Sequence, residues 1–409
     1  MQDTSIIWQF LCQRFFIFVP VLKHKTKLLM KVVLFDDESW GTLRPLTFTR
    51  PIAELRVGIL TIREKWEKRL NCQVSFLTED YLQEKYPMVL ENDNLLINST
   101  LCPNDSLLEA VLALLPGEML LQNGRLFAFR AGESDVWAFK REKQFVGKPV
   151  EFAGSCNQIV YPYHIFSMNG AEIVADFNLL TVGRESVPLD DSMRVRGRYP
   201  VFVEPGAIVR DSIINTDDGP VYIAEGAEIM EGVLIRGPLA LCEHGVLKMG
   251  AKVYGATTIG PYCKCGGEVN NVVMMAYSNK AHDGFLGNAV LGEWCNLGAA
   301  TNNSNLKNTY VEVKLWDYAT GHFRKTGLQF CGLIMGDHSK TGIGVILNTG
   351  TVVGVGVNIF GADFPRNFIP SFSWGGASGF VEHKLSQFFT TAEAVMKRRG
   401  RTMDEKERR

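Results

Sequence analysis

Paired cysteines are missing from this 409-residue chain. Its nine cysteines stand singly apart from Cys263 and Cys265. No CxxC pair is joined by a second ligand pair, which argues against a zinc framework. The thiols read as reduced, as in a cytosolic protein. Net charge is missing too: 43 Lys and Arg against 44 Asp and Glu leave −1, a balance that points to neither a nucleic acid nor a membrane surface. There is also no clean apolar run of membrane-spanning length. Ile6 to Leu22 is largely apolar, but Gln9, Gln13, Arg14 and Pro20 interrupt it. No basic residue precedes it, as a secretory signal requires. Lys23, His24, Lys25 and Lys27 follow it instead. Residues 1–29 therefore read as an extension outside the fold, with a marginal N-terminal anchor as the alternative.

What is present is enough for more than one core. The chain is 46% hydrophobic and too long for one ordinary domain. From Met30 the pattern alternates. "KVVLF" (31–35) is a continuous apolar run, as a strand covered on both faces requires. "ILTIREKWEKRL" (59–70) has helical spacing, with Ile59, Ile62, Trp66 and Leu70 on one side. "QVSFLT" (73–78) and "NLLINS" (94–99) are further strands, and "DSLLEAVLALL" (105–115) is a helix with Asp105 as its N-cap. "LLQNGRLFAF" (120–129) is a hairpin turning at Asn123-Gly124. Strands alternating with helices predict an α/β domain with a mostly parallel sheet over residues 30–190.

Glycine then takes over. Twenty-six of the 39 glycines fall in residues 197–361, too dense for helices. Apolar residues keep a period of six: Ile223, Ile229, Ile235, Leu241, Leu247, Val253, Ile259 and Cys265. Phe285, Leu291 and Leu297 continue it, as do Met335, Thr341, Leu347, Val353 and Ile359. That period predicts a parallel β-helix over residues 199–370, each hexapeptide turning one aliphatic residue inward. The phase slips between Val209 and Ile223, Cys265 and Phe285, and Leu297 and Met335 predict three excursions from the coil. A C-terminal helix within 382–400 and a solvated tail close the chain, in residues 371–409.

His282, in "NKAHDGFLG", falls in the second slip. The asparagine-rich "TNNSNLKNTY" begins 19 residues later, about one coil of three hexapeptides. Stacking the two excursions predicts one cleft holding Lys280, His282, Asn296, Asn302, Asn303 and Asn305. An imidazole titrating near pH ~6.5 can accept a proton at neutral pH. A lysine offers charge to a phosphate, and asparagines suit an oxyanion and sugar hydroxyls.

"HDGFLGNAVLGEWCNLGAATNNSN" (282–305) resembles the acetyltransferase centre of the bifunctional UDP-N-acetylglucosamine pyrophosphorylase/glucosamine-1-phosphate acetyltransferases. The resemblance implies a left-handed β-helix and a general base at His282, acting on a sugar amine that attacks the thioester of acetyl-CoA. It also implies substrate-binding roles for Asn296, Ala299 and Asn305. Leu306 and Phe285 stand where that family has tyrosines. "GTLRPLT" (41–47) is similar to the phosphate-cradling segment of sugar-1-phosphate nucleotidyltransferases, implying nucleotide contacts from Gly41, Thr42 and Arg44. Asp36, Asp37 and Glu38 replace that loop's glycines, and Asn98 falls near the family's metal-binding aspartate.

Taken with "YPYHIFSMNG" and "SNKAHDGFLG", the layout resembles a divergent branch of the sugar nucleotidyltransferases from Met30 to about Gly379. It implies a cytoplasmic homotrimer of nucleotide-sugar biosynthesis whose partners are a sugar phosphate and a nucleoside triphosphate or nucleotide sugar. Mg²⁺ would serve any nucleotidyl transfer, through ligands the sequence leaves open. Acetyl-CoA would lie between neighbouring subunits, with residues 316–327 as the contact that completes the cleft. Arg44 and Arg50 are expected to meet phosphates. Two alternatives remain at this stage: nucleotidyl transfer alone with the β-helix for oligomerisation, and a non-catalytic sugar-nucleotide-binding scaffold.

Overall fold

The computed structural model of the protein describes residues 30–409, so the expected extension and anchor (1–29) lie outside the described residues. Lys31–Phe35 (β1), Val74–Leu77 (β2), Asn94–Asn98 (β3), Glu118–Gln122 (β4), Arg125–Ala131 (β5) and Lys148–Glu151 (β6) form one sheet in the order β2-β1-β3-β5-β4-β6. β1 runs parallel to β2 and β3, its last four residues buried. The sheet is mixed rather than mostly parallel. Asn123 (φ 50°) and Gly124 (φ 78°) close a two-residue turn that must reverse the chain, and β5 then lies antiparallel to both β4 and β3.

The helices form where capping and apolar spacing coincide. Ile62–Leu70 starts with a capping box: Thr61 Oγ1 accepts from Glu64 N (3.2 Å), and Thr61 N donates to Glu64 Oε2 (2.7 Å). Asp105–Leu112 is capped by Asn104, not Asp105. Asn104 has the extended backbone that lets its Oδ1 reach Leu107 N (2.9 Å), whereas Asp105 is already helical and pairs with Arg69 instead. The helix Pro162–Thr181 carries a buried charge cluster in which Lys65 Nζ meets Asp176 (2.6 Å) and Glu172 (2.8 Å). Asp176 Oδ2 also accepts from the Ile59 and Leu60 amides. Gly58 (φ +81°) is required there, because a Cβ would lie 2.5 Å from Asp176 Oδ2.

From Arg194 to Gly376 the chain winds as a parallel β-solenoid whose faces appear as a thirteen-stranded and a ten-stranded sheet. Consecutive coils stack in register: Ile235 faces Val253, Leu241 faces Ile259 and Leu247 faces Cys265. All eight residues of the long period, Ile223 to Cys265, are buried. Each such aliphatic side chain contributes about 1.5–3 kcal/mol by leaving water, which no isolated hexapeptide could obtain.

Only the third slip is a full excursion. There the chain leaves the coil and forms the hairpin Lys314–Asp317/His322–Lys325. At the first, Ile214 takes the rung after Val209, facing Ile235. At the second, Phe285 is not the inward residue. Leu286, facing Val269, is buried at 1% exposure, while Phe285 is half-buried beside Glu268. Val269 to Met274 and Leu286 to Leu291 are five-residue steps, and Asn271 (φ 55°) and Asn288 (φ 46°) turn these tighter corners in the left-handed region. The C-terminal helix Leu385–Lys397 buries Phe388, Ala392 and Met396 against Trp294.

Candidate functional sites

Without an excursion at the second slip, His282 occupies a corner of the solenoid. Corners stack from coil to coil. A Cβ on Gly266 would meet Ala281 O (2.5 Å), Ala300 N donates to Asp283 O (2.9 Å), and Gly344 N donates to Ala299 O (2.8 Å). Gly284 (φ +124°) makes the corner possible, since its Cβ would meet Thr301 O at 2.2 Å. The His282 side chain is exposed, and Asp283 beside it is exposed too.

The structure separates the residues expected to share a cleft with His282. Ala299 is at the next corner of the same edge, and Asn296 is exposed on the strand leading to it. Asn305 is elsewhere. Its Nδ2 donates to Asn288 Oδ1 (2.7 Å), and the Asn271 amide, oriented to satisfy its neighbours, accepts from Asn288 Nδ2 (3.0 Å). Asn271, Asn288 and Asn305 are thus a vertical amide stack at the far corner of that face. Asn303 is buried, trading two hydrogen bonds with the Gly287 backbone, and Asn302 Oδ1 accepts from Phe285 N. These amides take over strand pairing inside the chain and do not face a ligand.

Lys280 is the sharpest departure. It is 2% exposed and turned into the solenoid, on the rung facing Cys265. Its Nζ donates to Gly266 O (2.9 Å) and His282 O (2.7 Å). Burial pushes its ammonium below the usual lysine range. The expected phosphate contact from Lys280 is therefore corrected. The signal was available: Lys280 is six residues after Met274 and six before Leu286.

The second candidate site lies at the C-terminal ends of β1 and β3, where the strand order reverses and α/β sheets open a crevice. Asp36 is partly buried there, accepting from Ile52 N (3.1 Å) and Thr78 Oγ1 (2.6 Å). Burial pushes its carboxyl up to about 7. Asp37 Oδ2 accepts from Arg125 (2.6 Å) and from Asn98 Nδ2 (2.8 Å), and Asp37 Oδ1 from Ser39 N (2.9 Å). Arg125, unnoticed in the sequence because it opens a hairpin strand, neutralises the carboxylate that replaces the loop glycines.

Gly41 and Thr42 belong to a single-turn helix, Ser39–Thr42, and the Thr42 hydroxyl is used by Ser39 O and Val160 O. Arg44 stacks on Trp40 (4.4 Å to the ring centroid) and Phe48 (5.4 Å). The hairpin 314–325, which contains most of the loop 316–327 expected to contact another subunit, covers this segment. A Cβ on Gly41 would lie 3.7 Å from Ala319 Cβ, Tyr318 meets Phe48 edge-on at 5.2 Å, and Arg324 lies 4.8 Å over Tyr161. The space lined by Thr42, Arg44, Tyr161, Trp316 and Arg324 is about 10 Å³, room for one water. Arg50 is not a phosphate contact: it is buried between the domains against Glu293 (2.9 Å) and Asp337.

These residues do not fit Mg²⁺. The carboxylate nearest the crevice already holds a guanidinium, and Asn98 turns its amide N–H, not its oxygen, toward that carboxylate. Among the described residues no three His, Cys, Asp or Glu side chains gather as metal ligands, and no helix is long and apolar enough to cross a membrane.

Known proteins are similar to parts of this chain. Residues 32–185 match the family model described as sugar nucleotidyl transferase. The bifunctional protein GlmU of Synechococcus elongatus is 25% identical over 185 residues, 42% of this chain and 36% of that protein. A bifunctional sugar-1-phosphate nucleotidylyltransferase/acetyltransferase of Sulfurisphaera tokodaii is 29% identical over 144 residues, 35% of each chain. This chain thus spans about a third of the length of the curated relatives it matches. A mutant perosamine N-acetyltransferase from Caulobacter crescentus, solved with CoA and GDP-perosamine, is 9% identical, covering 65% of this chain and 96% of that one. Its TM-score of 0.10 supports no argument about this chain. Residues 32–185, which match the sugar nucleotidyl transferase model, thus precede a parallel β-solenoid, and part of the chain is similar to bifunctional GlmU-like proteins.

Proposed function

We propose that the solenoid transfers an acyl group from acetyl-CoA to the amine of a sugar phosphate, with His282 as general base. The observation that carries this is the corner itself: an exposed imidazole on a backbone held by stacked coils, with Ala299 and Asn296 on the same edge. The activities named for the Sulfurisphaera tokodaii relative, sugar-1-phosphate nucleotidyl and acetyl transfer, favour the same chemistry. The amine attacks the thioester carbonyl as His282 takes its proton, and the CoA thiolate leaves. In this reading the exposed Asn296 meets the substrate, while the buried Lys280 and the amide-bonded Asn305 do not. The amide stack keeps Asn305 from a cleft within one subunit, so a parallel homotrimer in a cytoplasmic setting, with a second copy completing the cleft, belongs to this proposal.

For the N-terminal domain we propose that efficient nucleotidyl transfer is absent. Asp37 with its Arg125 partner fills the crevice, and the hairpin closes over Gly41, Thr42 and Arg44. The test is CoA release from acetyl-CoA with glucosamine 1-phosphate as acceptor. His282→Ala should lower turnover about 10²–10⁴-fold with the melting temperature unchanged, because an exposed corner side chain fills no core space. Undiminished turnover in that variant rejects the base.

A further inference from the structure

A buried lysine inside an aliphatic ladder needs a reason. Nothing in the stacking requires a cation there: the rungs above and below are Leu297 and Cys265, and an apolar residue would continue the core. What the cation does is specific. Gly266 O and His282 O are carbonyls of successive stacked corners, and among the described residues no backbone amide donates to either. Lys280 Nζ reaches both, at 2.9 and 2.7 Å. The His282 carbonyl carbon is bonded to the Cα that carries the exposed imidazole, so fixing it fixes the point from which the ring projects.

We propose that Lys280 is the positioning residue for His282, pinning the corner from inside the coil so that the imidazole is presented in one orientation. This rests on the general-base role given to His282. The ammonium touches neither substrate nor acyl donor. Its nearest charged neighbour is Asp283, exposed on the same corner, with the Cys265 thiol on the facing rung. Geometry sets the size of the effect, since misplacing a catalytic group by about an ångström costs on the order of 10²-fold in rate.

Lys280→Met separates pinning from packing, because methionine fills the rung without donating. In the full chain, amide exchange at 282–285 should rise about tenfold while exchange in the rest of the coil and the melting temperature stay put. With acetyl-CoA and glucosamine 1-phosphate, kcat should fall about 10–100-fold at unchanged KM. Added to His282→Ala, the substitution should cost nothing further, since the residues then act as one unit. Unchanged corner exchange overturns the proposal, and so does an equal loss of turnover on the His282→Ala background. If Lys280→Met and Lys280→Leu both fail to fold, the lysine is needed for the coil itself and the positioning role is overturned. A loosened corner in Lys280→Met beside full turnover in His282→Ala rejects the base and leaves the pin standing.

Discussion

At the scale of single residues, burial decides more than residue type. Asp36 stands where a glycine was expected, and its carboxyl titrates near 7 folded against 3.8 as its ordinary value, because burial outweighs its two hydrogen bonds. The folded state holds this proton more tightly than the unfolded chain. Its stabilisation is complete below pH ~4 and is lost as the pH rises toward 7, at about 1.4 kcal/mol per pH unit, roughly 4 kcal/mol in all. Asp36→Asn keeps an acceptor for the Ile52 amide and carries no charge. It should exceed the wild type in stability at pH 8 and lose that advantage toward pH 4, as read by urea midpoints. Parallel pH profiles for the two proteins would remove Asp36 as the cause. His282 was legible in the sequence because glycines frame it. Lys280 and Asn305 were misread, since a polar residue type does not say whether its side chain meets solvent, a ligand or its own backbone.

At the scale of elements, the period of six located the solenoid, while corners and excursions escaped it. A phase slip of two looks the same whether a loop adds two residues or the corners together lose four, and the chain took the second course through the four-residue step from Cys265 to Val269 and the five-residue steps at Asn271 and Asn288. The hairpin 314–325 is the true excursion. Trp316 stacks on Phe368 at 4.2 Å and Tyr318 packs on Phe48, so the hairpin ties the solenoid to the segment after β1. Replacing residues 317–322 by Asn-Gly should speed amide exchange at 41–48 and 160–163 about tenfold, equivalent to ~1.4 kcal/mol. The inward rungs should stay as protected as before. Faster exchange along the coil would make the hairpin part of the solenoid's own core.

At the scale of the whole molecule, the two halves share polar contacts and a core. Thr258 Oγ1 donates to Gly58 O (2.9 Å), Asn169 Nδ2 to Ala256 O (2.8 Å), and Val273, Val290 and Ile334 of the solenoid pack in one cluster with Leu46, Leu55 and Ile165. Arg50 lies at the centre of this junction between Glu293 and Asp337. Arg50→Ala leaves the buried Asp337 and the partly buried Glu293 unpaired and should cost about 3–5 kcal/mol. Adding Glu293→Gln and Asp337→Asn should restore most of it, and a urea midpoint unmoved by the single change would show that the carboxylates find water. The repeat, the α/β alternation and the Asn-Gly turn were determined by the sequence alone, because each is set by spacing along a few neighbouring residues. The inward lysine, the amide stack, the Asp37–Arg125 pair and the hairpin over Gly41 were decided only by the tertiary structure. Each depends on which residues many positions apart face one another once the coils have stacked.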